Sequence, residues 1–312
     1  MPRIGHSPQR LLGLGLGRPL KGNSRNSSHF FQARMVATYS DMQGKIALVT
    51  GIGQAHQSKD PNIWGNGAAT ARLLARNGVK IVGCDLDIKG AETAKSRILS
   101  ENPGASVDVF ATDVTQSTQV KDLVAAAVEK YGRIDYLINN VGLSRPGGPV
   151  ELTEEAFEQQ LKVNLTSAFL CCKQVLPVMV KQQSGSIIAT SSIAGLGYMG
   201  KAHIGYATTK AALLNFAKCV AVQYAPWGIR INAVIPGLIA TPLVERLADE
   251  YHEGNYEGLM KQRGGGVPLG RQGTADEVAN ATLFLLSDAA SYITGTSRTV
   301  DGGTTAVVCN YG

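Results

Sequence analysis

Lys45-Ile46-Ala47-Leu48-Val49-Thr50-Gly51 is a short apolar run that ends on a glycine, and Gly65-Asn66-Gly67 opens the amphipathic stretch 68–77, which Gly78 closes. A buried strand, a glycine turn and a helix in that order make the first unit of a parallel α/β sheet. Gly78 is a C-cap signal for the helix. The alternation then continues. Strands are predicted at 79–84, 107–110, 134–138, 186–190, 230–234 and 297–300, and helices at 88–99, 117–131, 153–180, 206–224 and 274–286. Near-continuous apolar strands between helices mean a sheet covered on both faces, so the expected fold is a single doubly wound α/β domain over 41–312.

Composition agrees with one globular domain: 44% hydrophobic and 17% charged residues are enough for a sizeable core. The net charge of +6 is confined to one end. Residues 1–40 hold Arg3, Arg10, Arg18, Lys21, Arg25 and Arg34 with no acid, and removing these six from 30 basic residues leaves 24, equal to the 24 acidic ones. The folded part is therefore neutral and shows no nucleic-acid footprint. No apolar run approaches the length of a bilayer span, so no transmembrane helix and no membrane partner are expected. The leading segment, with Leu11-Leu12-Gly13-Leu14-Gly15-Leu16, reads either as a mitochondrial transit peptide or as an extension upstream of an initiator at Met35. Localisation is thus mitochondrial or cytoplasmic. Cys84, Cys171, Cys172, Cys219 and Cys309 form no metal or disulfide pattern, and Cys84 and Cys219 are expected to act as small hydrophobes.

A glycine turn feeding a helix N-terminus is a pyrophosphate site, because backbone N–H groups approach closely and the helix dipole favours anions. Gly51, Gly65, Asn66 and Gly67 are the candidates. Gly51 and Gly65 are fourteen positions apart, and the insertion 52–64 between them reads either as a solvated bulge or as a flap whose His56, Lys59 or Trp64 covers the phosphates. Asp85, at the end of the second strand, is placed to accept hydrogen bonds from ribose hydroxyls and to repel a 2′-phosphate. No Arg or Lys follows it until Lys89, which favours NAD and leaves NADP second.

Tyr206-Ala-Thr-Thr-Lys210 sets a phenol and an ammonium one helical turn apart on one face. The positive charge is expected to pull the Tyr206 pKa down toward working pH, as an acid/base for an alcohol requires.

In chain order, Thr50-Gly51, Gly65-Asn66-Gly67, Asp85, Asp113-Val114, Asn139-Asn140-Val141-Gly142, Asn164, Ser192, Tyr206-x3-Lys210 and Pro236-Gly237 resemble the short-chain dehydrogenase/reductase family over residues 44–305. The resemblance implies a Rossmann-type domain with a seven-stranded sheet, a nicotinamide cofactor, and a homodimer or homotetramer. It implies that Tyr206 is the acid/base, that Lys210 holds the nicotinamide ribose and that Ser192 bonds the substrate oxygen. Asn164 would fix a water linking Lys210 to solvent, and Asp113 and Val114 would line the adenine. Asn140 would meet the adenosine, while Ile239 and Thr241 would face the nicotinamide amide. Three departures stand out: about ten extra residues in the glycine loop, Val141 in place of the family's alanine, and a serine fourteen residues before Tyr206 rather than thirteen. Ser191 and Ser192 are therefore both candidates, with Ser192 preferred.

Substrate choice is expected in 195–203 and in a lid over 242–266, which is charged and aromatic at first (Glu245, Arg246, Tyr251, His252, Tyr256) and ends in Gly264-Gly265-Gly266. The expected activity is interconversion of a secondary alcohol and a ketone, with no metal. The alternatives are a non-catalytic NAD-binding regulator, or an NADPH-dependent ketoacyl-type reductase that would want a basic residue near Asp85. The helix from Thr208 to Tyr224 is apolar over more than one face, consistent with packing on a second subunit.

Overall fold

Every strand expected from the alternation forms, and all seven join one parallel sheet. The computed structural model describes residues 37–53, 58, 60–251 and 255–307, without the side chains of 247, 248, 250 and 251. The basic extension with Met35, and His56, Lys59, the Tyr251 side chain, His252 and Cys309, lie outside the described residues. The strands are Ile46–Thr50 (β1), Lys80–Asp85 (β2), Val107–Ala111 (β3), Tyr136–Asn139 (β4), Gly185–Thr190 (β5) and Ile229–Pro236 (β6). Ile239–Ala240 (β7) and Gly273–Thr274 (β8) pair in a separate small sheet, and Ser297–Val300 (β9) completes the main one.

The order β3-β2-β1-β4-β5-β6-β9 reverses direction between β1 and β4, which puts a crevice at the carboxyl ends of those strands. Helices Asn66–Arg76 (α1), Ile88–Glu101 (α2), Ser117–Tyr131 (α3), Glu154–Leu161 (α4), Ser167–Gln182 (α5) and Ile204–Tyr224 (α6) connect the strands. Pro242–Tyr251 (α7), Tyr256–Gly265 (α8) and Ala275–Leu286 (α9) follow. β1 is buried at every position and its side chains alternate between two cores. Ala47 and Val49 pack with α1 and α9, while Ile46 and Leu48 pack with α3, α5 and α6.

The amino end of the sheet is closed by Asp135, only 3% exposed, which accepts the Ile46 N–H at 2.9 Å and the Arg133 Nε–H. At the far edge Arg230 reaches from β6 to the carbonyls of Leu285, Leu286 and Ser287, satisfying the last turn of α9. α9 itself starts with a capping box of Thr274 and Glu277.

Three expectations change. The stretch Glu154–Gln182 is, by length and composition alone, apolar enough to cross a membrane, although charged and polar residues interrupt its apolar run. Its apolar residues Leu170, Cys171, Cys172, Val175, Leu176 and Met179 are buried in the core of this domain. The same stretch is not one regular helix, because Lys162–Thr166 form a π-turn between α4 and α5. Cys84 is a buried hydrophobe as expected, but Cys219 is exposed, since its apolar neighbours on α6 face the core and it does not.

Candidate active site

The glycine turn is tight where it touches the sheet. Gly51 has φ +70° and its N–H donates to Cys84 O at 2.8 Å, turning the chain out of β1 toward α1. A Cβ on Gly67 would stand 2.2 Å from Gly51 O and 2.6 Å from Asn140 Nδ2, so only glycine lets the helix start approach the strand end. No side chain caps α1, and the buried Asn66 Oδ1 has no hydrogen-bond partner among the described residues. A close, uncapped helix start with an unmatched polar atom fits the phosphates of a dinucleotide.

Trp64 covers nothing. It is 3% exposed, with the Arg97 guanidinium 3.8 Å and the Arg72 guanidinium 4.7 Å from its ring centroid. Arg97 also donates to Pro61 O and Ile63 O, so residues 60–64 are fastened to α2, with Pro61 and Asn62 exposed to solvent and Ile63 and Trp64 turned inward. The insertion also touches the segment 242–266: Ser58 Oγ donates to Glu245 Oε1 at 2.6 Å, and Asp60, Glu245, Asp249 and Tyr256 line a cavity of about 260 Å³. That segment, expected to be a lid, holds two helices, α7 and α8, which meet through Val244, Leu259, Tyr256 and Met260.

Asp85 stands at the end of β2 and accepts the Gly53 N–H at 2.9 Å and the Asp87 N–H at 3.1 Å. Burial pushes its carboxyl up, and the bonds from Asp87 and Gly53 pull it partly back. Asp113 holds a turn, accepting from Thr115 N and Thr115 Oγ1. Burial works against its charge, but the bonds from Thr115 and Gln116 outweigh it and leave the carboxyl below the usual range. Val114 is buried in the core beside it. Asn140 donates its side-chain amide to Thr50 O and Gly51 O, so it fastens the glycine turn and leaves Oδ1 as its atom for a ligand. Ile239 is buried on β7, and Thr241 O accepts from Val244 N at the start of α7.

The second half of the site forms where β5 meets α6. Ser191 and Ser192 point to different places. Ser191 is 3% exposed and donates to Lys210 O at 2.7 Å, tying the loop to the α6 backbone. Ser192 Oγ accepts the Ala194 N–H at 3.2 Å, and its hydroxyl faces that of Tyr206, near enough to offset part of the effect of burial on the phenol. Gly195 makes this approach possible, since a Cβ there would lie 2.7 Å from the Lys210 carbonyl carbon. Lys210 is 2% exposed, its Nζ 5.7 Å from the Tyr206 ring centroid, and it donates to Thr190 O at 2.8 Å.

The expected depression of the Tyr206 pKa is not seen in the protein alone. Burial raises it, and the Ser192 hydroxyl brings it only partly down. Desolvation also pushes Lys210 to about 8, because taking both groups out of water disfavours both charges.

Asn164 is 1% exposed, and its side chain is engaged. It accepts the Leu143 N–H at 2.6 Å and donates to Leu143 O at 2.8 Å and to Thr209 Oγ1 at 2.9 Å. It therefore pins the segment after β4 to α6. The π-turn around it slips the helix register, with Ser167 N–H reaching Lys162 O. The polar residues inside the apolar stretch Val163-Asn164-Leu165-Thr166-Ser167 were the sequence signal for that break. Gly142, exposed, lies over the buried amine, and a Cβ there would come within 3.3 Å of Lys210 Nζ.

A phenol, a serine hydroxyl and a buried amine beside an anion-binding helix start belong to an enzyme that exchanges hydride with a dinucleotide, an oxidoreductase. Residues 62–305 match the family model described as enoyl-(acyl carrier protein) reductase. The chain belongs to the short-chain dehydrogenase/reductase family, whose cofactors are NAD(P). It is 36% identical over 262 residues to 3-oxoacyl-(acyl-carrier-protein) reductase FabG of Thermotoga maritima, covering 84% of this chain and 98% of that protein. It is 35% identical over 263 residues to levodione reductase of Leifsonia aquatica, covering 84% and 94%. A crystal structure from Burkholderia xenovorans, assigned to the same family, superimposes with TM-score 0.80 at 41% identity, covering 86% of this chain and all of that one.

Proposed function

We propose that this enzyme interconverts a secondary alcohol and a ketone, with Tyr206 as acid/base, Ser192 holding the reacting oxygen and NAD as the preferred cofactor. The observation that carries the reading is the convergence of the Ser192 hydroxyl on the Tyr206 phenol, with the buried Lys210 amine 5.7 Å from the phenol ring centroid. Bound NAD(H) would accept or supply the hydride at the carbinol carbon. Gly51, Gly65, Asn66 and Gly67 would hold its phosphates, Asp85 the adenosine ribose, Asp113, Val114 and Asn140 Oδ1 the adenine side, Lys210 the other ribose, and Ile239 and Thr241 the carboxamide.

The residues then act in a definite order. A ketone oxygen takes the place between the Ser192 and Tyr206 hydroxyls. Tyr206, kept neutral by burial, donates its proton there, and Ser192 donates a second hydrogen bond that stabilises the growing negative charge. Oxidation runs the same path backward and needs phenolate. Lys210 favours that form by its charge, and Gly142 puts no side chain against the buried amine. Asn164 sets Leu143 and α6 so that these atoms stay aligned. A water serving as proton relay at Asn164 would donate to Oδ1 or bond its main chain, since both amide hydrogens are taken.

Ser192→Ala is expected to lower kcat by about 10²-fold or more with little change in melting temperature. Ser191→Ala should do the reverse, reducing stability by about 1 kcal/mol with smaller effect on kcat. Equal kcat losses in both variants would remove Ser192 from its role.

The likeness to a 3-oxoacyl-(acyl-carrier-protein) reductase favours one second reading, a ketoacyl reductase using NADPH. Asp85 opposes it. The isosteric Asp85→Asn should shift the NAD/NADP ratio of kcat/KM at least tenfold toward NADP, about 1.4 kcal/mol. A wild type that turns over only with NADP would favour the second reading. We further propose a homodimer or homotetramer, supported by exposed Phe169 on α5 and Val222 on α6. Light scattering of the purified protein reads this directly.

A further inference from the structure

A polar pair beside Tyr206 has no part in the proton chemistry. Ser144 Oγ and His203 Nδ1 are 3.1 Å apart. His203 is the N-cap of α6 and Tyr206 is the third residue of that helix. A side chain at the N-cap lies over the second and third residues, and here it makes no capping bond. The imidazole is engaged by Ser144 instead.

Both members are held by the backbone that aligns the site. Gly147 N–H donates to Ala202 O at 2.8 Å and Ile204 N–H to Gly147 O at 3.2 Å, clamping the strand-end segment to the start of α6. Leu143, next to Ser144, is the residue doubly bonded by Asn164. Ser144, His203 and Tyr206 thus belong to one fixed assembly.

With Nδ1 engaged, Nε2 is the ring atom left for a ligand, and it has no hydrogen bond among the described residues. If Ser144 donates to Nδ1, Nε2 carries hydrogen and donates to a carbonyl; in the other tautomer Nε2 accepts from a hydroxyl. Burial, with Lys201 nearby, keeps this imidazole below its usual range and so neutral near pH 7. The adjoining segment exposes Leu196, Tyr198 and Met199, an apolar surface for the rest of a ligand.

We propose that Ser144 and His203 form a second substrate subsite, which binds an oxygen on a carbon one or two bonds from the reacting one. Preferred substrates would then be vicinal or 1,3-dioxygenated alcohols and ketones with an apolar remainder. His203, at the N-cap of α6, stands three positions before Tyr206, so the imidazole and the phenol leave the same end of one helix. The inference rests on the Tyr206 reading above.

The test is kcat/KM on matched ketones, 2-hydroxycyclohexanone against cyclohexanone, or the equivalent pair on whichever scaffold shows Tyr206-dependent turnover. The wild type should prefer the dioxygenated member by about tenfold to a hundredfold, since a site built to bond an oxygen rejects the analogue lacking it. His203→Phe and Ser144→Ala should bring that ratio toward one, mainly through KM. His203→Gln, which keeps a polar tip, should restore part of it. A wild type without the preference, or a ratio unmoved in both variants, overturns the subsite. Absence of Tyr206-dependent turnover on every scaffold would instead defeat the proposed function itself.

Discussion

Lys210→Met should make the cofactor-free protein more stable at pH 7 while abolishing turnover. Burial lowers the amine from 10.5 to about 8, so holding it charged in the folded state costs about 3 kcal/mol relative to the unfolded chain. Methionine removes that penalty but also the bond to Thr190 O, which, donated by a charged group, is worth about 1.5–3 kcal/mol. A net gain of up to about 1.5 kcal/mol remains, or a few degrees in Tm. The sign with pH follows from the direction of the shift. The native pKa lies below the unfolded one, so the penalty is fully present below about pH 8 and fades as pH rises toward 10.5. Denaturant unfolding of both proteins at pH 7 and pH 10 should show the advantage of Lys210→Met shrinking or reversing. A variant less stable than wild type at pH 7 would mean that the buried amine is structurally favourable and not held at a cost.

Tyr206→Phe is expected to lower kcat by about 10³–10⁴-fold, the upper part of the range for a positioned acid/base. The loss should fall on kcat, with NAD affinity nearly unchanged, because the ring stays and only the hydroxyl is removed. In the wild type the neutral phenol is the resting form, since burial outweighs the effect of Ser192. Ketone reduction should therefore hold level toward neutral pH, whereas alcohol oxidation should rise with pH. Initial rates in both directions between pH 6 and pH 10 read this, and a pH profile shared by wild type and Tyr206→Phe would assign the titration to another group.

Much of this was legible in the sequence because the sheet is buried on both faces. β1 and β4 are buried at every position, so the strands read as continuous apolar runs and all seven were found within two or three residues of their ends. Tyr206 and Lys210 were legible as a pair because helical spacing fixes their common face. What escaped depends on tertiary direction. Ser191 and Ser192 are chemically identical neighbours at the end of β5, and only the fold shows that one bonds Lys210 O and the other faces Tyr206. Whether Trp64 belonged to a bulge or to a flap stayed open, because its anchors, Arg72 and Arg97, come from two different helices. The Tyr206 pKa was misjudged because spacing gives the charge of Lys210 but not the desolvation that acts on both groups. The role of the Asn164 side chain, joining Leu143 to Thr209, likewise needs the two segments in place.

The most direct test of the central claim is transfer of label. Wild type and Tyr206→Phe would each be incubated with NAD and a panel of secondary alcohols deuterated at the carbinol carbon, and the cofactor analysed by mass spectrometry. Deuterium should appear in the reduced cofactor with wild type and form about 10³-fold or more slowly with the variant. Label that never reaches the cofactor, or that reaches it equally fast without the Tyr206 hydroxyl, would contradict a Tyr206-driven hydride transfer.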